Sequence, residues 1–136
     1  SSPVGIIFTY TIMYVKMIQY SMRYRSVSRD FFKTRWNIKG LVEDHHVIPK
    51  QFRGHPTVKK YKYDMNCSTN IILLPTKHGK HVMNLRENRL VHDGNHYRYN
   101  LFVEQILNVI QTEKDLKDFV IYLKKSCRFN PENIPW

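Results

Sequence analysis

The sequence DHHVIP at residues 44–49 places two adjacent histidines at the end of a β-prone stretch that Pro49 stops. It has a counterpart in HDGNHYRYN at residues 92–100, where His92 and His96 stand four residues apart. All seven histidines of the chain fall between positions 45 and 96. Histidine is both the commonest metal ligand and a general base near neutral pH. The clustering therefore predicts one site in which some imidazoles bind a divalent metal and another accepts a proton.

The pattern around these histidines predicts an α+β fold. Two β-prone runs, 41–48 and 71–74, each end at a proline, which favours strands. Residues 95–111 carry apolar side chains at helical spacing, and Thr112 with Asp115 has the form of a capping box at the start of another helix. The expected order is a short basic helix or arm at 28–36, a strand at 41–48, an irregular basic segment at 50–66, a strand at 71–74, and helices from about 95 and 112 onward.

The chain divides into three predicted segments. Residues 1–40 form an apolar and then basic N-terminal segment, residues 41–128 hold the histidines and the C-terminal helices, and residues 129–136 form an extended tail with two prolines. The apolar part of 4–24 is shorter than the roughly 20 residues that span a bilayer. Three alternatives stay open for 4–24: a membrane anchor with its basic end towards the cytoplasm, a buried helix, or a strand in its first half.

The net charge of +11 is concentrated around the histidines. Residues 45–100 contain ten lysines and arginines against three acidic residues, whereas residues 101–136 are balanced. Such a surface attracts polyanions, so nucleic acid or an anionic membrane face is the expected partner. Lys50, Arg53, Lys77 and Arg98 are candidate phosphate contacts. No recognition helix or finger array that would read base edges is indicated, which favours cutting with little sequence specificity if the site is hydrolytic.

Cys67 and Cys127 stand 60 positions apart without a CxxC or CxxH companion. This spacing indicates neither a zinc knuckle nor a disulfide framework. We expect two free thiols and either a reducing intracellular compartment or association with a virion or other particle, with membrane anchoring through the N-terminal segment as a further alternative.

Three motifs in order resemble the HNH/endonuclease VII superfamily of ββα-metal (His-Me finger) nucleases, and most of all the subfamily with the signature Ala-His-His. The first is His45-His46-x-x-Pro49, the second runs from Asn70 to Pro75, and the third begins His92-x-Gly-x-His96. Together they cover roughly residues 41–107. The chain departs from the subfamily in having Asp44 where the signature has alanine, which puts the way the metal is held in question.

The resemblance implies a small ββα-metal core and a role for each matched residue. His45, His92 and His96 would bind one divalent ion, Mg²⁺, Mn²⁺ or Zn²⁺, and His46 would be the general base. Asn70 would brace the loop between the strands and help to orient His46. The implied activity is metal-dependent hydrolysis of nucleic-acid phosphodiester bonds, with DNA as the favoured substrate.

Two sets of alternatives stay open. If a helix begins at Lys77, His78 and His81 could replace His92 and His96 as ligands. The domain could also serve as a structural or assembly subunit of a membrane-associated or nucleoprotein particle, held through residues 4–24. A third possibility is a toxin warhead, which would have an immunity protein as its partner.

Overall fold

The structure is a computed structural model that describes residues 22–94 and 96–136. The described elements are α1 (Val27–Arg35), β1 (Val42–His46), α2 (Pro56–Lys60), β2 (Ile71–Pro75), α3 (Lys77–Val82), α4 (Tyr97–Val109) and α5 (Glu113–Phe129), with short 3₁₀ turns at Lys50–Gly54, Ser68–Asn70 and Pro131–Asn133. The predictions for residues 4–21 lie outside the described residues. Among the helices of residues 22–94 and 96–136, none has the length and apolar character needed to cross a membrane.

The two strands pair antiparallel as one hairpin-like unit. Val42 lies opposite Pro75 and His46 lies opposite Ile71, so the C-terminal end of β1 meets the N-terminal end of β2. Both strands are therefore those expected from the proline-terminated runs, and α4 follows them in the chain. The predicted α+β class with a small ββα core is confirmed.

The connection between the strands is more regular than predicted. Residues 50–66 were expected to be irregular, but they contain the Lys50–Gly54 turn and α2. Pro56 stands at the start of α2, where its fixed φ suits a helix, and Nδ1 of His55 accepts a hydrogen bond from the Thr57 amide at 3.1 Å. Phe52 and Val58 point into the core. The segment is thus anchored by two buried side chains that the polar composition concealed.

The core lies between the strand pair and the last two helices. Tyr99, Val103 and Leu107 are the buried face of α4, each fully covered. On α5, Leu116 and Leu123 are equally covered and belong to the same cluster. Burying a large apolar side chain stabilises a fold by about 1.5–3 kcal/mol, so these five residues hold α4 and α5 against the core that they share with β1 and β2.

Helix α4 begins later than the helix that the HDGNH motif suggested. His92 and His96, four residues apart, would share one helical face only if a helix began near Asp93, but the helix starts at Tyr97 and His96 is its N-cap residue. Gly94 has φ +94°, a left-handed conformation that interrupts any helix there. His92 instead donates its amide to the Pro75 carbonyl at 2.9 Å, which ties this loop to the end of β2.

The tail after α5 was predicted to be extended, but part of it forms a turn. Helix α5 is capped by Thr112, as predicted, and continues through Phe129. The chain then makes the Pro131–Asn133 turn, and the hydroxyl of Tyr122 donates to the Asn133 carbonyl at 2.8 Å. Ile134 is only 6% exposed. Core packing thus holds the tail against the domain.

Candidate active site

Three of the four histidines singled out by the motifs meet beside the end of β1. The ring centroids of His45 and His92 are 5.6 Å apart, and His96 lies 6.2 Å from each of them. Three imidazoles on one tetrahedral ion, with metal–nitrogen distances near 2.1 Å, would place their centroids roughly 5 Å apart. The observed triangle is slightly wider than that. A strand and a loop, rather than a helix, bring these rings together.

Two of the three rings have a buried nitrogen atom without a partner in the described part of the chain. Nε2 of His45 and Nε2 of His96 form no hydrogen bond with residues 22–94 or 96–136. A buried polar atom without a partner costs free energy, so such atoms are retained where a ligand completes them. Burial, with the nearby His92 and His96, lowers the pKa of His45 to about 3. His45 is therefore neutral at physiological pH, which is the form that binds a metal.

The third ring is held by a carboxylate. Oε2 of Glu43 lies 2.6 Å from Nδ1 of His92, so an ion would bind this ring through Nε2. Carboxylates commonly fix the orientation of a metal-binding imidazole in this way. The sequence reading did not single out Glu43. Its position two residues before His45 on a strand could have identified it, because alternate strand residues point to the same face.

The donor set fits a divalent metal in type but not yet in arrangement. Imidazole ligands suit Zn²⁺ and other borderline ions, and two of these three rings carry a buried nitrogen without a partner among the described residues. Within residues 22–94 and 96–136, no group of three or more His, Cys, Asp or Glu side chains is arranged to hold a metal ion as it stands. The three centroids are only slightly farther apart than three imidazoles on a tetrahedral ion would be. Modest rotations of the rings would therefore convert the observed arrangement into a metal-binding one.

His46 faces a different partner. Its Nε2 lies 3.0 Å from Oδ1 of Asn66, an acceptor, so Nε2 carries the proton and Nδ1 keeps its lone pair. Burial lowers the pKa of His46, and the hydrogen bond to Asn66 opposes that shift. A neutral ring with one free nitrogen is the form a general base requires. No motif in the sequence pointed to Asn66.

Asn70 hydrogen-bonds to the loop backbone and to Tyr63 rather than to His46, and its implied role in orienting His46 stays a prediction. Its Oδ1 accepts from the Ile48 amide at 3.0 Å and from the Tyr63 hydroxyl at 3.1 Å. Its Nδ2 donates to the carbonyls of Ile48 and Met65 at 3.2 and 2.8 Å. Asn70 is fully buried. It fixes the backbone just after the histidine pair, so any effect on His46 passes through the loop.

Asp44 lines the histidine cavity and forms ion pairs with two basic residues of α1. Its Oδ1 lies 3.1 Å from Nε of Arg29 and 3.3 Å from Nζ of Lys33, and its side chain is only 9% exposed. Burial lowers the pKa of Arg29, and the charge of Asp44 opposes that shift. The acidic residue at the place of the signature alanine therefore connects β1 to α1.

A cavity of about 300 Å³ opens beside the histidines, and its lining includes His45, His46, His92, His96 and Lys50. Of the four predicted phosphate contacts, Lys50 is the one in this lining. Arg53, Lys77 and Arg98 are exposed elsewhere on the surface, with Lys77 paired to Asp93 at 3.2 Å. The structure thus brings one of the four to the histidines and leaves three at a distance from the cavity wall.

The rival pair lies apart from this group. A helix does begin at Lys77, as that alternative required, but His78 and His81 are both exposed on it. His45 has ring contacts with His92 and His96 instead. The geometry therefore groups His92 and His96 with His45, and their role as ligands stays a prediction.

Two aromatic residues that the sequence analysis did not select flank the site. The ring centroid of Tyr24 is 4.5 Å from that of His46, and Nζ of Lys50 lies 4.2 Å from the Tyr24 centroid. On the other side, Trp136 packs against His96 with a centroid distance of 3.8 Å. Both residues are far in sequence from the motifs, so no local pattern could have placed them here.

Comparison with known proteins gives one family. A family model described as a nuclease family of the HNH/ENDO VII superfamily with conserved AHH matches residues 29–121. No curated protein and no solved structure gives a significant match. The match spans more than half of the chain and contains both strands, the histidine pair and the loop that carries His92 and His96. The chain belongs to this AHH family of HNH/ENDO VII superfamily nucleases.

Proposed function

We propose that this nuclease is a metal-dependent endonuclease that hydrolyses phosphodiester bonds, with DNA as its substrate and little sequence specificity. Nucleases of the superfamily are generally metal-dependent. The observation that carries the proposal is the grouping of His45, His92 and His96 beside His46 in one cavity. The first three imidazoles are available for an ion, and the fourth, His46, is oriented for proton transfer.

His46 is the base in this proposal. Because Nε2 donates to Asn66, Nδ1 is the atom whose lone pair accepts a proton from the attacking water. Its lowered pKa keeps the ring neutral at physiological pH, so the base is ready without prior deprotonation. After hydrolysis the ring returns this proton to solvent through the open cavity.

His45, His92 and His96 would hold the ion, with Glu43 orienting His92. When bound, a divalent ion supplies Lewis-acid stabilisation of charge on the phosphate and the leaving oxygen. The ammonium of Lys50 lies at the rim beside Tyr24, where it can attract the phosphate backbone. Since a single lysine in the cavity wall contacts phosphate rather than base edges, this arrangement favours binding of any sequence.

The direct test uses purified protein stripped with EDTA. It is incubated with supercoiled plasmid or with an RNA transcript, and Mg²⁺, Mn²⁺ or Zn²⁺ is then added separately. We expect metal-dependent nicking of the plasmid, abolished in His46→Ala and in His45→Ala. His78→Ala and His81→Ala are matched controls, because both histidines are exposed on α3, and these variants should keep wild-type rates.

The outcomes separate the parts of the proposal. Metal-independent cleavage would reject the role of the ion, and full activity in His46→Ala would reject the base. Loss of activity in His78→Ala or His81→Ala would transfer the ligand role to the rival pair. Cleavage of the transcript without nicking of the plasmid would reject DNA as the substrate.

A further inference from the structure

Trp136 lies against His45 and His96, the two imidazoles whose Nε2 atoms have no partner among the residues that the structure describes. Its ring centroid is 3.8 Å from that of His96, with 34° between the planes, and 5.3 Å from that of His45. It also contacts the buried ring of Tyr99 at 5.3 Å. Trp136 lies beyond residue 121, where the match to the nuclease family ends. The family assignment therefore attaches no role to it.

The tail holds Trp136 firmly in this place. Ile134, two residues earlier, is buried in the core, and Trp136 itself packs on the core cluster. The Asn133 carbonyl accepts from Tyr122, and the Asn133 amide donates to Asn130 at 2.9 Å, so the turn before Trp136 is fixed to α5. An anchored indole can restrict the rings it touches.

The indole lies behind the imidazoles rather than in the opening. The cavity lining includes His45, His92 and His96, whereas Trp136 contacts His45 and His96 without being part of that lining. With 3.8 Å between the two ring centroids, the indole limits how far the His96 ring can rotate towards it. The negative face of an indole also favours a neighbouring ring that gains positive charge, as an imidazole does when it binds a dication.

We propose that Trp136 is a positioning residue for the metal site, which holds His96 and His45 in the orientation that binds a divalent ion. This inference rests on the proposed function, since it takes His45, His92 and His96 as the ligands. It adds that metal affinity depends on a residue of the tail outside the family match. It also makes the indole a reporter, because its fluorescence is expected to change when an ion binds next to it.

The test measures metal binding by the chain of residues 1–136, without substrate. Equilibrium dialysis with Co²⁺ and with Zn²⁺ compares wild type, Trp136→Ala, Trp136→Phe and Trp36→Phe. Loss of an outer-shell group commonly weakens metal binding by about 10–100-fold, so we expect a loss of that size in Trp136→Ala and recovery to within about threefold of wild type in Trp136→Phe. Trp36, the C-cap residue of α1, is 62% exposed; it is the matched control and should have no effect.

A spectroscopic measurement covers the case in which Trp136→Ala does not fold. In Trp36→Phe, Trp136 is the only tryptophan, and Co²⁺ should quench its emission with the same midpoint as dialysis. His96→Ala should abolish the quenching. Unquenched emission while dialysis shows one bound ion per chain would overturn the inference, as would wild-type affinity in a folded Trp136→Ala.

Failure of the proposed function has a different signature. If wild type binds neither ion, or if binding is unchanged in His45→Ala and in His96→Ala, the metal site is wrong and the role of Trp136 is rejected with it. If wild type binds one ion in a His45-dependent way but Trp136→Ala binds it equally well, only the role of Trp136 is rejected.

Discussion

Oδ1 of Asn66 accepts a hydrogen bond from Nε2 of His46 at 3.0 Å, whereas Asn70, four residues later, hydrogen-bonds to backbone groups and to Tyr63. Two asparagines thus divide the support of the histidine pair. Asn70 fixes the path of the loop, and Asn66 fixes the ring and its tautomer. The Asn66 loop is itself tied to the segment before α1, because its carbonyl accepts from the Tyr24 amide at 3.0 Å.

Substitution of Asn66 should lower the rate of cleavage with little effect on the fold. Its backbone contacts with Asp64 and Tyr24 do not involve its own side chain, so Asn66→Ala removes only the bond to His46. A general base contributes about 10²–10⁴-fold, and we expect Asn66→Ala to lose roughly 10–100-fold of kcat by misplacing that base. Plasmid nicking rates at saturating metal measure this.

Asn66→Asp provides the control. A carboxylate keeps the acceptor on Nε2 and adds a negative charge, which stabilises the protonated ring and raises the pKa of His46. The acid limb of the pH–rate profile should then move to higher pH, with the rate recovered on the alkaline side. A profile identical to that of Asn66→Ala would show that the contact does not orient the base.

The parts of the fold that could be predicted are those with a local signal. Both strands were visible because proline ends each β-prone run, and the capping pair of Thr112 and Asp115 identified the start of α5. The start of α4 was misplaced by a few residues. HxxxH has helical spacing, yet Gly94 adopts a left-handed conformation and the contact between the His92 amide and Pro75 holds that loop in place of a helical turn.

The site was only partly predictable for the same reason. His45, His46, His92 and His96 could be selected as a motif, and the structure brings them to one cavity. Asn66 and Trp136 could not be found, because each reaches its histidine through tertiary packing that no sequence period encodes. Asp44 was noticed as unusual, but its partner Arg29 lies on another helix, and an ion pair across elements leaves no local pattern.

Gly79 should not tolerate alanine. A Cβ atom there would lie 1.9 Å from the carbonyl oxygen of Leu41. That oxygen cannot easily retreat, because it accepts the Thr76 amide at 2.9 Å, just before α3. We expect Gly79→Ala to lower the free energy of unfolding by about 3 kcal/mol, despite the roughly 1 kcal/mol that alanine gains over glycine in a helix.

Urea unfolding measures the effect, and Gly54→Ala is the matched control. A Cβ at Gly54 would meet nothing within 4 Å, so its effect should stay within about 0.5 kcal/mol. Equal stability of the two variants would mean that α3 does not approach the start of β1 as closely as described.

The two free cysteines should differ sharply in reactivity. Cys127 is fully buried, and burial raises the pKa of its thiol to about 12, whereas Cys67 is half-buried. At pH 8 a thiol reagent should therefore label one site quickly, and Cys67→Ser should remove that fast phase. Labelling of Cys127 should require unfolding in guanidinium. Rapid labelling of two thiols in the native protein would contradict this packing.

The raised pKa of Cys127 also predicts a loss of stability in alkali. The folded state holds this proton more tightly than the unfolded state, in which a thiol has a pKa near 8.5. The stabilisation that comes from this raised pKa is therefore fully present below pH ~8.5 and is lost as the pH rises from there towards 12. Urea unfolding at pH 8 and pH 10 should show a steeper decline for wild type than for Cys127→Ala, by roughly 1 kcal/mol per pH unit. Parallel declines would argue against the shift.

The buried pair of Arg29 and Asp44 should behave as a unit. Their side chains are 7% and 9% exposed, so removing either partner leaves the other charge buried. Breaking such a pair costs about 3–5 kcal/mol, whereas replacing both partners by apolar groups is often close to neutral. We expect Asp44→Ala to destabilise strongly and the double variant Arg29→Met/Asp44→Ala to recover most of that loss. Lys33, which also faces Asp44, should limit the recovery.

The control for this cycle is the exposed pair of Asp30 and Lys39, 3.2 Å apart with both side chains more than half exposed. Such a pair contributes about 0–1 kcal/mol, so Asp30→Ala should change stability little. Asp44→Ala also restores the Ala-His-His signature of the family, and the folded double variant should bind Co²⁺ with wild-type affinity because Asp44 is not among the ligands. A large loss of affinity in that folded double variant would show instead that Asp44 takes part in holding the metal.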